Sequence, residues 1–306
     1  ALLLYKQVGN RVDEANTLYA IGSVYFEQAD KQRALGYLEQ ALSLYKQVET
    51  RLGEAFTLAA IGSAYSAQGD RQKALSYLEQ ALPLYKQAGN SSGEAYVLVG
   101  IGRAYFERGD KEKAHNYLEQ ARRLYKQAGN REGEGSALND LGHVYSARGE
   151  RELALSYYER ALALHRQVRS RVGEAESLAR IGHEYSKQGN KEKALSYLEQ
   201  ALALYKQTGN RMWEASSLVA IGGLYSEQRD WQKALSYFEQ ALALYKEIPP
   251  ESVYHASARE NYDKLFPLFV EKHIKAAEDA RALGRCDDFR SEVKIVLDVD
   301  PKQIKA

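Results

Sequence analysis

The residues of this chain best equipped for chemistry are six histidines (His115, His143, His165, His183, His255 and His273) and one cysteine, Cys286. A metal needs several such ligands around one ion, and nucleophilic catalysis needs a nucleophile, a base and an orienting group within reach of one another. His143 and His183 lie 40 residues apart at equivalent places. On neighbouring packed helices that separation becomes about 10 Å, too far to share one ion. A single cysteine supplies no zinc-spaced set and permits no intrachain disulfide. No nucleotide-binding glycine loop or nucleophile elbow is present. No metal, cofactor or catalytic centre is therefore expected, and the chain reads as non-enzymatic. Forty-two Lys and Arg against 41 Asp and Glu leave a formal charge of +1, too little field to draw nucleic acid or an anionic membrane. No apolar run approaches the roughly 20 residues of a membrane span, and no signal peptide is visible. The expectation is a cytoplasmic protein.

One set of charged residues stands out. His115 and Arg122 occupy places that hold leucine elsewhere, Leu35 and Leu42 for example, and they fall on one helical face. Asp140 is the only acid at its own place. A buried cation needs such a partner, so His115, Arg122 and Asp140 are expected to form a buried polar cluster. That cluster would be a satisfied ion-pair network, a weakly packed flex point, or a recognition site.

These places are equivalent because the chain repeats every 40 residues: Glu39 to Gln47 returns at Glu79, Glu119, Glu159, Glu199 and Glu239. A period of this size marks a solenoid, in which each unit buries its apolar face against its neighbours. In the unit from Arg171 to Asn210, Ala175, Leu178, Ile181, Gly182 and Tyr185 recur at spacings of three and four, one buried helical face. Ala194, Leu195, Tyr197, Leu198, Ala201, Leu202 and Leu204 make a second stripe. Gly189-Asn190 and Gly209-Asn210 punctuate them, glycine closing one helix and asparagine capping the next. Antiparallel helix pairs follow. Glycines at 22, 62, 102, 142, 182 and 222 sit mid-helix, where glycine costs about 1 kcal/mol relative to alanine. That cost implies a partner helix approaching closely, helped by Ala34 and its equivalents. Tyrosine ladders at 25, 65, 105, 145, 185 and 225 and at 37, 77, 117, 157, 197 and 237 could stack bases. Their invariance reads instead as packing.

Leu178, Ile181-Gly182, Tyr185, Ala194, Leu198 and Ala201, repeated in every full unit, resemble the tetratricopeptide repeat pattern. The chain is similar to the long-repeat subclass seen in kinesin light chains, in the spindle-orientation adaptor Pins and in bacterial multidomain signalling proteins. Lys46 and its equivalents replace the pattern's terminal proline, so the second helix can run on to the Gly-Asn stop. The resemblance implies an all-α, right-handed superhelical α-solenoid whose concave side, lined by the first helix of each unit, grips a peptide or a partner helix. Carried onto this sequence, that side is Asn16, Tyr19, Phe26, Phe56, Tyr96, Val99, Arg103, Phe106, Asn139, His143, Glu176, Arg180, His183 and Lys187. An amphipathic segment with apolar anchors at one end and a carboxylate or backbone recognised further along would suit it.

The organisation expected is a half-unit at 1–10, six units at 11–50, 51–90, 91–130, 131–170, 171–210 and 211–250, and a C-terminal cap at 251–306. The cap would hold helices at 252–264, 267–283 and 287–297, the last part of a degenerate repeat in which Phe289 and Val296 stand where alanine is wanted. Pro83 should kink its helix. Trp213 and Trp231 should pack against the tail or a missing neighbour. The opening half-unit predicts a fragment of a longer protein. The leading functional expectation is a non-enzymatic protein-protein interaction module that binds a protein or peptide, from a partner or from its own parent. The alternatives are a scaffold self-associating through its open N-terminal end at Leu2 and Leu4, and a regulatory fragment of an enzyme whose catalytic domain lies elsewhere.

Overall fold

The computed structural model describes residues 5, 7–28 and 30–245, together with individual residues between 267 and 291. The expected helices 252–264 and 287–297, with Phe289, Val296, Leu2 and Leu4, fall wholly or mostly outside these. Twelve helices are described: α1 (Arg11–Glu27), α2 (Lys31–Gln47), α3 (Arg51–Ala67), α4 (Arg71–Gln87), α5 (Ser91–Glu107), α6 (Lys111–Gln127), α7 (Arg131–Arg148), α8 (Arg151–Gln167), α9 (Arg171–Lys187), α10 (Lys191–Thr208), α11 (Arg211–Glu227) and α12 (Trp231–Tyr245). No strand occurs among the described residues. The chain divides into two compact units, Ala1–Val168 and Arg169–Ala306. In each, every helix packs on the next, and first helices also touch: α1 on α3, α3 on α5 and α5 on α7, then α9 on α11.

Local chemistry sets where the helices start and stop. Asn10, Asp30, Asp70, Asn90, Asp110, Asn130, Ser170 and Asn190 each accept a hydrogen bond from the backbone N–H three residues on, satisfying one of the orphan donors of the first turn. Past the ends of α2 to α11 the chain turns through a left-handed residue. Glycine takes that conformation at eight described positions, but Glu49, Arg169 and Arg229 take it at φ 54°, 57° and 59°.

Packing inside a pair is decided at the mid-helix glycine. A Cβ at Gly62 would sit 2.8 Å from Leu78 Cγ and 3.2 Å from the Ala74 carbonyl oxygen, so only glycine admits the approach. Leu78 is 2 % exposed there, and full burial of such a leucine stabilises by roughly 2 kcal/mol. Gly22, Gly102 and Gly182 meet Leu38, Leu118 and Leu198 in the same way, while Gly142 meets Tyr158 and Gly222 meets Phe238. Between pairs, the wedge is a buried tyrosine: Tyr45, Tyr85 and Tyr125 press on Gly53, Gly93 and Gly133 of the following first helix.

The two tyrosine ladders form stacked pairs, such as Tyr65 with Tyr77 at 5.5 Å and Tyr105 with Tyr117 at 5.5 Å, with Lys73 and Lys113 over the outer rings. They are packing elements. At the helix ends, cations tie helices together: Lys31 donates to the Ala67 carbonyl and Arg71 to Glu107 between successive pairs, and Arg51 to Gln87 and Arg131 to Gln167 within a pair. Exposed contacts of this kind are worth at most about 1 kcal/mol each, so they hold register more than they add stability.

Helix α4 runs through Pro83 as one helix, with the ladder bond that proline cannot donate left unmade. Trp213 stacks on Tyr205 of α10, ring centroids 6.3 Å apart. The exposed start of α11 lies beside the wedge tyrosine of α10, which offers the nearest flat apolar face. Trp231 packs with Val270 of the tail against Ala234, Leu235 and Phe238.

Left-handed backbone costs an L-residue roughly 1 kcal/mol or more, and glycine avoids this cost. Glu49→Gly, Arg169→Gly and Arg229→Gly should therefore each raise the thermal midpoint, by an amount equivalent to about 1 kcal/mol. Calorimetry of the three single variants checks this.

Candidate functional site

In the unit Ala1–Val168, the first helices present a row of side chains pointing away from their second-helix partners. Phe56 (40 % exposed) and Tyr96 (51 % exposed) are its most prominent members, with Phe26 at the end of α1 also exposed. Behind them lies a recess of about 370 Å³ lined by Tyr19 of α1, Phe56, Ala59 and Ala60 of α3, Tyr85 of α4, Asn90, and Ser92, Gly93 and Tyr96 of α5. Small residues at 59 and 60 open it, and the ring of Tyr85 forms its floor. Tyr96 is braced by a 2.9 Å hydrogen bond between its hydroxyl and that of Ser63. Phe56 stands edge-on to Tyr85, centroids 5.5 Å apart at 78°.

The floor of this site was missing from the sequence-based set. The tyrosines of the constant Leu-Tyr-Lys motif, Tyr45, Tyr85 and Tyr125, reach from the second helix to the first-helix face. A uniform motif looks like core, and these rings are core; the signal lay in the residue opposite. Tyr45 donates its hydroxyl to Asn16, 29 residues earlier. At the matching offset from Tyr85 stands Phe56, which can accept nothing. Burial pushes the Tyr85 phenol well above its ordinary pKa, and the neighbouring Tyr19 and Tyr96 add to the shift. Tyr125 is raised to about 12, again chiefly by burial. These hydroxyls stay protonated at neutral pH.

Further along the row, Arg103 Nε donates to Asp140 at 2.7 Å, linking α5 to α7. The Phe106 and His143 rings lie 4.5 Å apart, tilted by 42°. Val99 and Asn139, expected on the open face, are buried at 9 % and 0 % exposure. Their positions fall at the core-ward edge of the helix, beside the residues that pack on the second helix. Neither is available to a ligand in this arrangement.

The expected cluster of His115, Arg122 and Asp140 does not assemble around one point. His115 Nε2 is 2.9 Å from the Tyr145 hydroxyl. Arg122 pairs with Glu119 on its own helix and with Glu134 of α7 at 3.8 Å. Asp140 faces Arg103 instead. The reason is angular: Asp140, itself buried, faces α5, whereas α6 meets α7 through another face.

In the unit Arg169–Ala306 the expected residues lie on α9. Arg180 binds Glu176 at 2.7 Å, and Lys187 binds the buried Glu184 at 2.6 Å. The cations expected to await a carboxylate are thus already engaged by acids of this chain. His183 reaches solvent at its edge, yet desolvation first, then the nearby Lys187 and Arg180, push its pKa down, with Glu184 opposing. Among the described residues, no group of three His, Cys, Asp or Glu could hold a metal, and no helix is long and apolar enough to cross a membrane.

Two measurements test this geometry. Tyr45→Phe removes a made hydrogen bond and should cost about 1 kcal/mol, while Tyr85→Phe removes a hydroxyl with no such bond and should be neutral within about 0.5 kcal/mol; denaturation midpoints of the two variants decide. An NMR titration of His183 should give a midpoint below 6.5. Because the unfolded chain then takes up that proton first, His183 destabilises the fold as pH falls through the window between the two values. A His183→Gln variant should lose that part of the acid sensitivity.

Comparison with known proteins bears on what this arrangement is. A search of curated protein sequences finds no significant match. Among solved structures, the Rap conjugation gene regulator of the plasmid pLS20, in complex with a Phr peptide, is similar at TM-score 0.66 and 16 % identity, over 97 % of this chain and 77 % of that one. A Rap protein complexed with competence and sporulation factor gives TM-score 0.65 at 14 % identity, over 98 % and 99 %. A putative kinesin light chain from Podosopora anserina, with nearly identical TPR-like repeats, gives 0.51 at 21 %, over 64 % and 97 %. At these identities the likeness is one of fold. Two tetratricopeptide repeat models match the sequence, one over residues 1–47, 37–87, 54–127 and 133–207 and the other over 217–249. With most of its length so matched and its helices paired in this way, the chain belongs to the tetratricopeptide repeat family.

Proposed function

We propose that this protein is a non-enzymatic interaction module that binds a segment of a partner protein across the first-helix face of the unit Ala1–Val168. The observation that carries the reading is the row of exposed aromatics, Phe26, Phe56 and Tyr96, held at fixed spacing by packed helices. Large rings left in water on a rigid frame are what binding surfaces concentrate, because they bury much area at small entropic cost. Two proteins of similar fold, one in complex with a Phr peptide and one with competence and sporulation factor, support the same reading. With Arg103 already paired to Asp140, the aromatic residues supply the anchor and that pair sets register along the segment.

The test begins with a peptide segment selected from a random displayed library on the intact chain. Tyr96→Ala and Phe56→Ala should each weaken its binding by about tenfold or more, with helicity by circular dichroism unchanged. Binding of the selected segment that is indifferent to both substitutions overturns this placement.

A further inference from the structure

The recess behind Phe56 and Tyr96 holds an unanswered chemical group. Tyr85 is 2 % exposed and lines the recess, and its hydroxyl has no hydrogen-bond partner among the described residues. One unit earlier, the equivalent Tyr45 gives its hydroxyl to Asn16. The exchange of Asn16 for Phe56 at the matching place both removes the acceptor and adds an aromatic wall. The hydroxyl opens onto the recess, where water or whatever enters the recess can meet it.

The lining narrows what that could be. Rings of Tyr19, Phe56, Tyr85 and Tyr96 surround the space, with Asn90 and Ser92 at the edge, and no Lys, Arg, His, Asp or Glu lines it. A carboxylate would be desolvated with no cation to offset the loss, against ring faces that carry negative potential. A purely aliphatic side chain would leave the Tyr85 hydroxyl unmet. A cationic head is attracted to ring faces and donates to the free lone pair of the phenol oxygen, whose own O–H stays turned to water, while its methylene stem lies along Phe56 and Ala59.

We propose that this recess is an aromatic cage for the cationic head of a basic side chain, lysine or arginine, in the bound segment; this rests on the partner-segment reading above. Tyr85 meets the head directly, Phe56 and Tyr96 close over it, and the neutral phenols keep the site free of fixed charge. The cage gives this face a preference for basic over acidic segments at its aromatic end.

The test uses small probes on the intact chain, so that it does not depend on a partner. The ring resonances of Tyr85 and Phe56 are followed by NMR during titration with n-butylammonium, n-propylguanidinium and the uncharged 1-butanol. At least one cation should half-saturate at about one-tenth the concentration needed for 1-butanol, and the better of the two identifies lysine or arginine as the preferred head. Tyr85→Phe and Phe56→Ala should weaken that cation while leaving 1-butanol little changed. Equal affinity for cations and 1-butanol would make the recess an ordinary apolar pocket and overturn the cage, as would the absence of any shift. If the probes fail while a library-selected segment still binds in a Tyr96-dependent way, the cage is wrong and the partner-segment reading stands.

Discussion

Everything in this molecule depends on how closely the two helices of a pair can approach. At Gly62 the neighbouring leucine occupies the volume a Cβ would need, and the Ala74 carbonyl lies just beyond it. The same contact recurs through the array, with Tyr158 and Phe238 taking the leucine's place in two pairs. A backbone held this tightly fixes which face of each first helix is inward. The opposite face is then obliged to stand open, side by side with the faces of the first helices it touches. A second close contact, the tyrosine wedge on Gly53, Gly93 and Gly133, sets the step from one pair to the next within the unit Ala1–Val168.

That frame makes recognition a matter of small exchanges. The wedge tyrosine recurs at 45, 85 and 125 because packing requires a flat ring there, His165 taking its place in the next unit, and the Tyr45 hydroxyl reaches the first helix for geometric reasons alone. Whether the hydroxyl is satisfied depends on one residue of the neighbouring first helix. Asn16 satisfies Tyr45, whereas Phe56 does not satisfy Tyr85. Charged residues on the same face are handled differently. Arg103 with Asp140 and Arg180 with Glu176 are paired within the chain, so their contribution is shape and local field rather than vacant charge. The most distinctive open chemistry in the unit Ala1–Val168 is therefore aromatic.

Much of this was legible beforehand. Helix starts followed from Asn and Asp at the cap positions, helix ends from the glycines beyond them, and the close approach from glycines placed where they should be costly. The resemblance to the tetratricopeptide pattern assigned Phe26, Phe56 and Tyr96 to the open row, and all three side chains are exposed. Val99 and Asn139 were misplaced because a helical face has an edge, and period alone cannot say on which side of it a residue falls. Grouping His115, Arg122 and Asp140 failed for a related reason. Unusual residues in adjacent helices meet only if their faces do, and α6 and α7 meet through faces that exclude Asp140.

The sequence by itself determined the family, the paired helices, their caps and the identity of the packing residues, because these depend on spacing along one chain and on backbone rules that act over a few residues. It also carried the exchange of Asn16 for Phe56 in plain view. Only the tertiary structure decided what that exchange means. The contact between Tyr85 and Phe56 joins residues 29 apart on different helices, and its consequence, an open recess floored by an unmet hydroxyl, exists only where three first helices and one second helix come together. Ion pairing was settled at the same level. Whether Arg103 is available or engaged depends on the distance to a residue 37 positions away, a quantity set by packing and not by pattern.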